Sequence, residues 1–239
     1  MANQLTSSQF FLILCAGILP ALIWLWFWLK EDTRRPEPRG IILLSFFAGA
    51  FAILVVLPLQ ALAQKFFTPG LLLILSWATV EEAIKLMMAY FIAFRSPSYD
   101  EPIDAMVYLT TVALGFAAFE NVLFLLNGIA DGIAISIVTA SMRFIGATLL
   151  HVFSSATLGG IIAMSFCKSR PKKVAYAIVG LITASVLHTL FNLFIINPEW
   201  LGESVNILTV FATLWLGIIA LLLFFEKIKS VTCNIKQII

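Results

Sequence analysis

Long apolar runs alternate with short polar connectors along the whole chain. Runs long enough to cross the roughly 30 Å hydrocarbon layer of a bilayer occur at 10–29, 40–63, 70–94, 103–126, 134–166, 174–196 and 206–225. Each predicts a helix, because a segment in lipid has to satisfy its own backbone hydrogen bonds. The run at 134–166 exceeds a minimal span, so it is tilted or extends past the membrane. The connectors hold helix breakers and charges: Lys30 to Arg39 with Pro36 and Pro38, Arg95 to Pro102, and Lys168 to Lys173 around Pro171. The pattern predicts an all-α polytopic bundle of about seven spans, a single integral membrane domain over residues 1–239.

Charge placement orients the bundle. Connectors 30–39, 95–102 and 167–173 and the tail after 225 contain twelve of the 15 lysines and arginines, among them Arg34, Arg35, Arg170, Lys172 and Lys227. The alternate connectors contain only Lys65, together with Asp131, Glu199 and Glu203. Basic residues gather in cytoplasmic loops, so the N-terminus is expected outside and the C-terminus in the cytoplasm. The segment from Met1 to Gln9 has no Lys or Arg, and the basic cluster follows the first apolar run. That order describes a retained N-out anchor rather than a cleaved signal peptide.

Composition agrees. The chain is 61% hydrophobic and 12% charged, with mean hydropathy +1.02, whereas a soluble domain is nearer half apolar and a quarter charged. Lipid is therefore the outer solvent, and the cytoplasmic membrane of a prokaryote is the expected location. No basic run is paired with exposed aromatics, so a nucleic-acid surface is not expected. Cys15, Cys167 and Cys233 are widely separated, lack metal-site spacing and are read as free thiols.

Ionisable groups cost several kcal/mol in the bilayer centre and mark function there. This chain has many of them. The third run carries Glu81, Glu82 and Lys85, the fourth Glu120 and Asn121, the fifth Arg143 and His151, and the sixth His188 and Asn192. Lys85 lies three and four residues from the two glutamates and can reach either. His188 and Asn192 share a face, as do Arg143 and His151 with the small Ala147 between them. Gly115, Gly159 and Gly160 allow close backbone approach. At 1.5 Å per residue, Glu81 and His188 lie roughly 12–18 Å from the outer surface, His151 about 20 Å and Glu120 about 10 Å. Four helices can thus bring polar groups to one pocket open to the outside.

Peptide hydrolysis needs an activated water, an oxyanion donor and a proton for the leaving amine. A glutamate in a dry site serves as general base and then acid. A second carboxylate beside it makes the pair share protons. Two imidazoles and a carboxylate form a ligand set for Zn²⁺ with an open position for water. Asn192 is placed to support an oxyanion or orient His188.

Plainer readings compete. Glu81, Glu82 and Lys85 could form only an ion-pair lock, yet one lysine leaves a surplus carboxylate. Arg143 could snorkel, and Asp104 suits a helix N-terminus. Ser154, Ser155 and Thr157 are expected to bond to backbone or to other helices. Buried Glu, His and Arg also line transport pathways, although no inverted repeat supports a transporter. A non-catalytic membrane scaffold is the third option.

Glu-Glu-x-x-Lys at 81–85, Phe-x-x-x-Glu-Asn at 116–121, His151 and His-x-x-x-Asn at 188–192 resemble, in order, the motifs of the PrsW family of membrane proteases. The resemblance covers about 76–192 and extends to Asp104, Tyr108, Gly115 and Arg143. That family is grouped with CAAX prenyl endopeptidases and bacteriocin-processing Abi proteins. The CAAX branch has His where this chain has Glu120, and Arg where it has Lys85, so the PrsW-like reading is the nearer one. The resemblance implies an intramembrane endopeptidase that cleaves a single-pass membrane protein, such as an anti-sigma factor, near its outer surface. It implies Glu81 and Glu82 as the water-activating pair, with Glu120, His188 and Asn192 also catalytic. His151, His188 and Glu120 are the implied metal ligands should Zn²⁺ bind, supported by Lys85, Asn121 and Arg143. Whether the metal or a glutamate alone activates the water stays open, as does the choice between Glu81 and Glu82. His-Glu-x-x-His, Gly-x-Gly-Asp and Gly-x-Ser-x-Gly are all missing from the sequence, which disfavours other intramembrane protease chemistries.

Overall fold

The computed structural model describes residues 6–31, 35–128, 146–196 and 207–231. Seven α-helices and no strand occur among these residues. They are α1 (Ser7–Glu31), α2 (Arg39–Ala63), α3 (Leu71–Ala89), α4 (Asp104–Gly128), α5 (Ala147–Ala163), α6 (Arg170–Ile196) and α7 (Ile207–Lys229). The expected all-helical bundle is what forms. One difference is local: the third apolar run is not one uninterrupted α-helix, because α3 passes into a widened π turn at Tyr90–Phe94. Another concerns the long fifth run, of which α5 covers 147–163 while 129–145 lie outside the described residues.

Four of the described helices, α1, α2, α4 and α6, are long and apolar enough to cross a membrane. By contrast, α3 carries three charges at its middle and α5 has 17 residues. The three charges of α3 and most of α5 are buried among the other helices. Large side chains such as Phe11, Trp26, Phe47, Leu72, Leu216 and Leu223 cover the outer surface and are exposed. Such a surface suits lipid and would aggregate in water.

Helix α4 is the central post. It packs against α1, α2 and α5, while α3 closes the bundle against α2 and α6, and α7 leans on α5. From Asp104 to Ala118 every residue of α4 is buried. Its many small residues explain why: Ala105, Thr110, Thr111, Ala113, Gly115, Ala117 and Ala118 leave room for other backbones. The contact with α2 is reciprocal. A Cβ on Gly49 would stand 1.9 Å from the Val112 carbonyl oxygen, and one on Gly115 would stand 1.8 Å from that of Phe46. On the opposite flank, a Cβ on Gly159 of α5 would meet the Ala105 carbonyl oxygen at 2.6 Å. Glycine is the only residue that fits these crossings.

The connector into α4 is held by a side chain rather than by a simple dipole effect. Asp104 Oδ2 accepts the backbone N–H groups of Asp100 and Glu101 at 2.8 and 2.7 Å. Tyr108, one turn on, donates to Glu37 from the preceding connector. The expectation of three free thiols fails at one position. Cys15 is free, Cys167 is disulfide-bonded and Cys233 lies outside the described residues; separation along a sequence does not measure separation in a packed bundle.

Candidate active site

The acids and imidazoles of α3, α4, α5 and α6 converge on one buried cluster. Adjacent glutamates on α3 point in directions about 100° apart, and they meet different partners. Glu82 is fully enclosed. Its Oε1 accepts from Lys85 Nζ at 2.8 Å, from Ser154 Oγ at 3.0 Å and from His188 Nδ1 at 2.9 Å. Its Oε2 accepts from Ser155 Oγ at 2.7 Å. One carboxylate thus ties α3 to both α5 and α6.

Glu81 is bonded on one oxygen only. Its Oε1 accepts from the Gln60 side-chain amide of α2 at 2.8 Å. Its Oε2 is buried without a hydrogen-bond partner among the described residues. That oxygen lies 3.6 Å from His188 Nε2, 3.9 Å from His151 Nδ1 and 3.8 Å from Lys85 Nζ. A buried carboxylate oxygen with no donor is costly and calls for an explanation.

The imidazoles are held from behind. His151 Nδ1 lies 2.8 Å from the Lys85 ammonium, and its Nε2 lies 3.0 Å from Glu120 Oε2. An ammonium only donates, so Nδ1 must accept and Nε2–H donates to Glu120. The Glu82 carboxylate only accepts, so His188 donates from Nδ1, leaving Nε2 turned toward Glu81. Phe116 backs the arrangement, with the His151 ring 5.2 Å away edge-on and Lys85 Nζ 4.4 Å above its face. Both histidines therefore anchor one nitrogen on a carboxylate; His188 turns its Nε2 toward Glu81, whereas His151 Nδ1, 3.9 Å from Glu81, accepts from Lys85. Carboxylates behind metal-bound histidines play this orienting role.

The donor set suits a metal ion. One oxygen of Glu81 and one nitrogen each of His151 and His188 lie within 4.8 Å of one another. Two donors each about 2.1 Å from a tetrahedral zinc stand about 3.4 Å apart, slightly less than the 3.6 and 3.9 Å between Glu81 and the imidazoles. The cluster also has three carboxylates against the single Lys85 ammonium among the described residues, and low dielectric leaves such a surplus to be offset by a cation or protons.

A family model described as PrsW family intramembrane metalloprotease matches residues 37–222. The chain belongs to the PrsW family. It is an integral membrane protease, and the transport reading is not favoured. Among curated relatives, Protease PrsW of Geobacillus kaustophilus is 28% identical over 201 residues, covering 80% of this chain and 83% of the relative. The Bacillus subtilis Protease PrsW is 29% identical over 185 residues, covering 74% and 80%. That of Clostridioides difficile is 25% identical over 207 residues, covering 83% and 85%. No solved structure matches the chain significantly. A membrane-embedded PrsW-family protease acts on membrane substrates and works surrounded by lipid.

Of the PrsW-like residues singled out from sequence, Glu81, Glu82, Lys85, Glu120, His151 and His188 form the cluster. Glu120 sits behind His151, on the side away from Glu81, where a direct metal ligand was expected. Asn192 is half-buried one turn beyond His188. Asn121 donates to Thr148, joining α4 to α5. Arg143 lies outside the described residues. Three participants were not anticipated. Gln60 holds Glu81, and Ser154 and Ser155 hold Glu82. The serines meet the expectation of bonds to backbone or to other helices: Ser154 bonds to the Leu150 and His151 carbonyls, and both donate to the Glu82 carboxylate of α3. Their spacing of three and four residues after His151 was the available signal, since it places them on the histidine's stripe.

Proposed function

We propose that this PrsW-family protease hydrolyses a peptide bond of a single-pass membrane protein, such as an anti-sigma factor, with Glu81 as the group that engages the attacking water. The observation that carries this reading is the unpartnered Glu81 Oε2 facing one nitrogen of each histidine. A water seated there would deliver its proton to Glu81 as its oxygen attacks the scissile carbonyl. Glu81 would then pass that proton to the leaving amine. Asn192, close to His188 along α6, is the proposed oxyanion donor. Glu82, enclosed and hydrogen-bonded at both oxygens, acts as the post that sets His188 and Lys85. Glu120 fixes the tautomer of His151.

For a bound divalent ion such as Zn²⁺ the proposed ligands are Glu81, His151 and His188, with Glu82 and Glu120 behind the histidines; His151 Nδ1 would then exchange the Lys85 ammonium for the ion, and activation of the water would pass from Glu81 to the ion. Such an ion would polarise the bound water and the scissile carbonyl. The basic connectors support an N-out, C-in arrangement in the cytoplasmic membrane of a bacterium, which puts the cluster nearer the outer face and the cut near that surface. We also propose a wider kinship with the CAAX and Abi proteases, and a single domain spanning residues 1–239.

The test is cleavage of a single-pass substrate by detergent-purified protein, comparing wild type with Glu81→Gln, alongside elemental analysis and chelator treatment. Loss of cleavage in the variant is expected, with stoichiometric metal in the active wild type. Undiminished cleavage by Glu81→Gln overturns the assignment of the base, and an active metal-free preparation removes the metal.

A further inference from the structure

Gln60 lies near the end of α2, two residues after Pro58, in a stretch otherwise built from leucine and alanine. It is half-buried. A polar side chain at that depth has an easy alternative in the interfacial water, toward which long side chains extend. It turns inward instead and donates to the buried Glu81 Oε1 at 2.8 Å. Its backbone is secured as well: the Gln60 carbonyl oxygen accepts the Trp77 indole N–H of α3 at 3.2 Å and the Gln64 backbone N–H at 3.1 Å.

The cationic and imidazole nitrogens within 4 Å of Glu81 approach Oε2: Lys85 at 3.8 Å, His151 at 3.9 Å and His188 at 3.6 Å. No second donor to Oε1 is found among the described residues. Without Gln60, both carboxylate oxygens would lack a donor, and Lys85 is near enough at helical spacing to capture the group. A captured Glu81 would form a close ion pair like that of Glu82 and turn away from the imidazoles. An uncharged donor suits this task, since it orients the carboxylate without adding a second positive charge beside Lys85.

We propose that Gln60 is a positioning residue, whose amide holds Glu81 with one oxygen free for the water between the two histidines. This rests on Glu81 engaging the water. Partners that orient a reactive or metal-binding group change activity by about 10–100-fold when removed.

The experiment measures kcat and KM for cleavage of one single-pass substrate by wild type, Gln60→Met, Gln60→Leu, Gln60→His and Glu81→Gln, with monodispersity and melting temperature recorded for each in detergent. Gln60→Met keeps the length and loses the donor, so kcat should fall about 10–100-fold with KM within about twofold and the melting temperature near wild type. Gln60→His keeps an N–H at similar reach and should recover most of the loss. Wild-type kcat in both donor-free variants overturns the proposal, and so does a loss confined to KM, which would make Gln60 a substrate contact. If neither donor-free variant folds, Gln60 is a structural residue and the proposal fails. Glu81→Gln separates the two readings: if it cleaves normally, the assignment of Glu81 is what has failed.

Discussion

Glu81 and Glu82 are neighbours on one helix, yet the bundle treats them oppositely. Four side-chain donors from three helices occupy Glu82, whereas Glu81 has Gln60 on one oxygen and none on the other among the described residues. The first arrangement spends polar contacts on holding helices together, as a satisfied buried network does. The second leaves a buried carboxylate oxygen without a donor, which is costly. Adjacent carboxylates thus divide into one that holds helices together and one that we propose works on the water.

The largest effects should come from breaking each member of that pair. Glu81→Gln keeps the Gln60 contact and removes the base, so kcat should fall about 10²–10⁴-fold while the melting temperature stays close to wild type. Glu82→Gln should do the reverse in kind. It leaves the fully buried Lys85 without its 2.8 Å counter-charge, and breaking such a pair costs about 3–5 kcal/mol. Thermal unfolding in detergent, followed alongside cleavage, distinguishes the outcomes. Equal stability of the two variants would erase the proposed division of labour.

How much of this was legible in the chain follows from what sequence periodicity can report. Apolar runs mark α1 to α7 because the lipid requirement acts on each segment by itself. The acids and imidazoles stand out because they are expensive where they sit. Helical spacing also foretells contacts within one helix, such as Lys85 with Glu82. It says nothing about rotation between helices. Ser154 and His188 lie 72 and 106 positions from the carboxylate they hold, and Gln60 looks like any amide near a membrane end. The choice between Glu81 and Glu82 was illegible for the same reason: identical residues one position apart differ only in what stands opposite them.

The two histidine anchors offer an intermediate test. Glu120 is a fifth exposed, while Glu82 is sealed, so Glu120→Gln removes the carboxylate behind His151 without burying an unpaired charge as deeply. Activity should fall about 10–100-fold, with metal affinity falling in step where a metal is bound, and stability should change little. A loss as complete as that of Glu81→Gln would instead bring Glu120 into the proton transfers themselves.

The smallest predicted effect resolves the Glu82 half of the comparison into its two oxygens. Oε1 is shared by Lys85, His188 and Ser154, so removing one donor leaves two. Ser154 is additionally occupied with the carbonyls of Leu150 and His151, and its hydroxyl hydrogen can serve only one acceptor at a time. On Oε2 the structure gives one donor, Ser155 at 2.7 Å. Ser155→Ala therefore strands a buried charged oxygen, at a cost of about 1.5–3 kcal/mol for a hydrogen bond to an ionised group. Ser154→Ala should cost about 0.5–1.5 kcal/mol, as for an ordinary bond. Melting temperatures of the two variants, measured in the same detergent, should fall in that order. If Ser154→Ala proves the more damaging, Glu82 is held through the α5 backbone stripe rather than by saturation of its carboxylate, and its contrast with Glu81 loses its physical basis.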